Sequence, residues 1–96
     1  MGEALDQVLF DFSMRILNYS IEFVNSPGYA SLRFMDVLQS LAGIIANIEG
    51  VSNKDFYMRV KEKMESRRLL SGSEERSRFL DELLEMFVEE WRRQSK

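Results

Sequence analysis

Residues 45–57 read "IANIEGVSNKDFY", and the reading of this stretch decides the fold. Ala46, Gly50 and Ser52 stand at the spacings of a helix-turn-helix. In that motif the Ala packs against the second helix, the Gly takes the turn and the Ser caps the second helix. The same residues also describe an ordinary corner between two helices that pack on each other. Gly50 is then a left-handed C-cap residue. Ser52 and Asp55 then have the spacing of a capping box, with Asp in the place of the usual Glu. Phe56 is an apolar anchor in either case.

The corner is the better reading. The positions a recognition helix would present early are Asn53, Lys54, Asp55 and Tyr57. Asp55 brings negative charge towards phosphates. The helix before the corner is also long for the first helix of such a motif. The alternative is kept: a nucleic-acid-binding regulator using residues 45–64, with Arg59 and Lys63 on phosphates.

Outward from the corner the chain reads as helix on both sides. The preceding helix is expected over about 30–49. Phe34, Val37, Leu38, Leu41, Ile44, Ile45 and Ile48 form its apolar face, and Met35, Ala42 and Ala46 widen it. The following helix is expected over about 53–68, with Phe56, Val60 and Met64 as a thin stripe and Tyr57 beside it. A fourth helix is expected over about 73–93. Ser71 and Glu74 have capping-box spacing, with Ser73 as a competing cap. Phe79, Leu80, Leu83, Leu84, Phe87 and Trp91 form its core side.

The first helix is expected over about 3–25 and has two apolar faces. Leu5, Val8, Leu9, Phe12, Ile16, Tyr19 and Phe23 form one. Phe10, Met14, Leu17, Ile21 and Val24 form the other. Ser13 and Ser20 lie between them and permit close approach of another helix. A helix with two apolar faces must be covered from two directions. The expectation is an all-α chain, an antiparallel four-helix bundle-like domain spanning residues 1–96. Its surplus apolar surface is expected to meet a second copy through Phe10, Met14, Leu17, Ile21 and Val24.

Composition agrees. The chain has 96 residues, enough for one small domain. It is 45% hydrophobic with a single Pro, so a packed helical core is within reach. Cys and His are both absent. That removes disulfides, thiolate chemistry and the commonest general base and metal ligand. No apolar run reaches the length of a membrane span, and no signal peptide is expected. A cytoplasmic protein is expected. The net charge is −3. Bases gather only in Lys54, Arg59, Lys61, Lys63, Arg67 and Arg68, a block too short for the footprint of a DNA binder.

Candidate chemistry is sparse. Tyr29, Arg33 and Asp36 form a possible polar cluster beside Pro27. A plain ion pair on one helix face is the simpler account. Arg59, Lys63 and Arg67 recur every four residues as a possible stripe for an anion or an acidic partner, or as a solvated face. Asp81 with Glu85, and Glu82 with Glu89, lack the His of a bundle metal site. No phosphate loop and no nucleophile–base set is present, so no catalytic, cofactor or metal residues are assigned and no enzyme is expected.

The segments "SPGYASLRFMD", "LAGIIANIEG" and "DFYMRVKEKME" carry a wider likeness. Through Pro27, Tyr29, Arg33, Asp36 and Gly50 the chain resembles a family of small prokaryotic all-helical proteins with no assigned activity. The resemblance implies a helical corner at Gly50 and no DNA-reading turn. The expected partner is the chain itself, or another protein, with no nucleic acid and no membrane.

Overall fold

The computed structural model describes residues 2–25, 30–66 and 73–94. Among them run four helices: α1 (Gly2–Glu22), α2 (Ala30–Ile45), α3 (Lys54–Glu65) and α4 (Ser73–Gln94). They form an all-α bundle. Each helix packs on the next in the chain, and α4 returns to α1, so α1 faces α3 and α2 faces α4 only across the core.

The inward sides obey the apolar periodicity. Phe56, Tyr57, Val60 and Met64 of α3 are all buried. Met35, Leu38, Ala42 and Ile45 carry α2 into the core. At one level of the bundle the rings of Phe10, Phe56 and Phe87 meet, with centroids 5.0 to 6.0 Å apart. Three helices are joined there by tilted and edge-on ring contacts, worth more than their area alone. Ser13 and Ser20 are buried, as their small size between two apolar faces predicts. Ser31 Oγ donates to the Ser20 carbonyl at 2.8 Å, which brings the start of α2 onto the end of α1.

Helix ends depart from expectation. α2 stops at Ile45 and not near Glu49. Beyond it the ladder tightens: the amides of Asn47 and Ile48 reach back three residues to Ile44 and Ile45. Asn47 Nδ2 donates to the Gly43 carbonyl at 2.8 Å and satisfies one of the orphaned end groups. Gly50 has φ +92°, the left-handed conformation expected of it, but in the turn beyond the helix and not at its cap. α1 ends at Glu22, with Phe23–Asn25 in a turn. α3 ends at Glu65, where Ser66 closes on the Glu62 and Lys63 carbonyls. Ser71 lies outside the described residues.

Two side-chain expectations are corrected. Ser52 does not cap α3. Asn53 holds that position without a capping hydrogen bond from its side chain. Trp91 is 55% exposed, so it is not core; the inward position in that turn belongs to Glu90.

Candidate functional site

Two surfaces stand out, one apolar and one polar. The apolar one corrects the expected dimer face. Phe10, Leu17 and Val24 are buried in the chain's own core, and Met14 and Ile21 pack against it. Both faces of α1 are apolar, and the one that carries these five turns into the bundle, where Phe10 meets Phe56 of α3 and Phe87 of α4. Much of the other face is left outward, while Ile16 is buried and Leu9 packs on the core. Val8 is 64% exposed, Phe12 49%, Tyr19 39% and Leu5 36%. On the neighbouring flank of α2, Ile44 is 61% and Val37 47% exposed.

These residues form one band. Tyr19 and Phe34 rings meet at 5.3 Å across the α1–α2 seam, and Phe23 stacks on Phe34 at 5.8 Å. Leu41, half-buried on α2, packs against the core. Val37, Leu41 and Ile44, with Asp36 and Ser40, line a groove of about 340 Å³ along α2. On α1 the band spans Leu5 to Tyr19, about 21 Å at the rise of a helix.

The polar surface lies at the end of the bundle where α1 starts, α3 starts and α4 ends. Asp6 of α1 accepts from the Ser52 backbone amide at 3.1 Å and from the Ser52 hydroxyl. Asn53 is 5% exposed, and its Nδ2 donates to Glu90 Oε2 at 3.2 Å. Glu90, 3% exposed, also receives Arg93 Nε at 2.9 Å, the Arg93 terminal nitrogen at 2.6 Å and Gln94 Nε2 at 3.2 Å. Asp6, Gln7, Ser52, Asn53, Arg93 and Gln94 line a cleft of about 420 Å³.

The electrostatics come from that shell. Burial alone would raise the Glu90 carboxyl. Hydrogen bonds from Arg93, Gln94 and Asn53 and the Arg93 charge outweigh burial and hold it below its ordinary value. Tyr57 is pushed up to about 12, first by burial, with the charges of Asp6 and Glu90 adding to it and the neighbouring Ser13 and Asn53 opposing. Among the described residues neither the buried Tyr57 hydroxyl nor Asn53 Oδ1 has a hydrogen-bond partner. Such groups cost stability unless something pairs them.

The described residues of the polar cluster and the basic stripe do not line the cleft, and Asp36 borders the α2 groove. Arg33 and Asp36 are exposed on α2, and Tyr29 lies outside the described residues. Lys63 pairs with Glu82 of α4 and stands 5.2 Å from the centre of the Phe79 ring. Arg59 stands 6.0 Å from the centre of the Phe56 ring. Arg67 lies outside the described residues. Of the positions a recognition helix would present, Asn53 and Tyr57 are buried.

The polar cleft has a sequence signal in the core register of two helices. Asp6 precedes Phe10, Ser13 and Leu17 at steps of four, three and four, a core register. Glu90 continues the line of Leu83 and Phe87 in the same way. An acid on each of two core lines marks the place. Among the described residues no helix is long and apolar enough to cross a membrane. Comparison with protein-family models, curated proteins and solved structures gives no match.

Proposed function

We propose that this chain is a non-enzymatic interaction domain that works as a homodimer, two copies meeting through the outer band of α1 and α2. The supporting observation is the band itself: Val8, Phe12, Val37 and Ile44 each leave about half or more of their surface in water. Contiguous apolar patches of a few hundred Å² on small domains mark contact sites.

A second copy suits the band better than an unrelated partner. Positions 5, 8, 12, 15 and 19 of α1 alternate by three and four, the repeat of a helix–helix seam. All are apolar or aromatic except Arg15. Antiparallel apposition about a two-fold axis sets Val8 against Tyr19 of the partner subunit. It also sets Arg15 against Phe12 of the partner subunit, where a guanidinium is attracted to a ring face. The single charge in the seam is thereby accommodated twice by symmetry.

Sedimentation equilibrium tests this. A dimer at micromolar concentration is expected. A monomer persisting into the high micromolar range overturns the proposal, as does a monomer that co-sediments with lipid vesicles and so gives the band another occupant.

A further inference from the structure

We propose that the cleft between the ends of α1, α3 and α4 binds a small organic cation carrying a primary ammonium group. The reasoning starts from what the wall offers. Asn53 lines the cleft, is 5% exposed, and holds Oδ1 buried without a hydrogen-bond partner among the described residues. Beside it the Asp6 carboxylate has committed one direction of each oxygen to Ser52 and keeps further lone pairs. The wall therefore wants hydrogen-bond donors.

Part of its own donor set is committed. Arg93 turns Nε and one terminal nitrogen onto Glu90, and Gln94 gives its amide nitrogen to the same carboxylate. Gln7 gives its amide nitrogen to Asp11 at 2.8 Å. The amide oxygens of Gln7 and Gln94 join the acceptor side. Glu90 and Arg93 cancel in charge, so Asp6 leaves the cleft with one net negative charge. A phosphate or carboxylate would meet the charge of Asp6, and the Nε edge of the one guanidinium in the lining is already spent on Glu90. A metal ion is poorly served, since the described residues offer no group of three or more His, Cys, Asp or Glu. An ammonium group carries three donors and one positive charge, which matches Asn53 Oδ1, Asp6 and a rim amide. The cleft volume of about 420 Å³ lies within the range of small-molecule sites.

The test titrates 1,4-diaminobutane into the ¹⁵N-labelled full chain and follows amide resonances. Saturable shifts are expected in the Asn53 side-chain amide and the Ser52 backbone amide, half-complete below about 1 mM. Succinate and sodium chloride at matched ionic strength should leave them in place. Gln7→Lys tethers an ammonium group to the exposed rim and should weaken binding at least ~10-fold with an unchanged circular dichroism spectrum. Asp6→Asn, which removes the net charge, should weaken it in the same direction. The proposal is overturned by shifts that do not saturate by about 10 mM, by equal shifts with salt alone, or by affinity that survives Gln7→Lys.

Discussion

Asn53 Nδ2 and Glu90 Oε2 lie 3.2 Å apart and 37 residues distant in sequence, and this bond fastens the start of α3 to the end of α4. Glu90 sits on the core line of α4, yet it is kept ionised by hydrogen bonds from three side chains. Its folded value is held below the ordinary one of 4.5. A depressed carboxylate contributes stability in full above that ordinary value and loses it as pH falls through the lower folded value. Acid titration of Glu90→Gln should therefore show a shallower loss of stability below about pH 4.5 than the parent chain. At neutral pH the same variant should be less stable by about 1–3 kcal/mol, read from urea midpoints.

Tyr57 makes the opposite prediction. Its hydroxyl is buried and unpartnered among the described residues, so Tyr57→Phe should leave the free energy of unfolding unchanged or raise it, by up to about 1 kcal/mol. The phenol has its folded value raised from 10.0 to about 12. Its contribution is full below 10.0 and is lost as pH rises towards 12. Alkaline unfolding in that window should be less steep in Tyr57→Phe. Equal steepness in both proteins means that the hydroxyl is already solvated.

The ring cluster predicts a larger effect. Phe87 meets Phe10 at 5.6 Å and Phe56 at 5.0 Å, and it is fully buried. Phe87→Ala removes the side chain common to contacts with α1 and α3, and should cost about 3–5 kcal/mol. Chemical denaturation followed at Trp91 measures it.

The outer band predicts a separation of assembly from folding. Phe12 is 49% exposed, so Phe12→Asp should change the stability of an isolated copy by no more than about 0.5 kcal/mol. Sedimentation should nevertheless find it monomeric. Arg15→Glu should weaken the dimer and leave helicity alone, since Arg15 lies on the exposed side of α1.

The helices were legible because their apolar repeats are long and their breaks are marked by Gly50 and the Pro27–Gly28 pair. Which face of α1 turns inward was not. Both are apolar, and the decision is made by the helices that pack around α1, whose positions no local repeat encodes. The polar cleft was hidden for a related reason. Ser52 has the local pattern of a cap for α3, but its amide and hydroxyl are taken by Asp6, 46 residues earlier. A long-range carboxylate outcompeted a neighbour three residues away. Ser31 shows the same override, since its hydroxyl leaves its own helix for the Ser20 carbonyl. The basic stripe was visible as spacing, while its tie to α4 through Glu82 depended on the bundle closing.

The way α4 is held has a consequence for how the molecule opens. It packs less extensively on α1 and α3 than α2 does on its neighbours. Its anchorage comes from one line of core residues, Phe79, Leu80, Leu83 and Phe87, from the Glu90 shell at one end and from Lys63–Glu82 on the outside. A helix packed less extensively than its neighbours exchanges its amide hydrogens as one cooperative unit, ahead of global unfolding. The α1–α2–α3 block should then protect its amides longest, and release of α4 should be the lowest-energy excursion of the native chain. That excursion bares Phe10 and Phe56 together, a transient apolar mouth between the first and third helices.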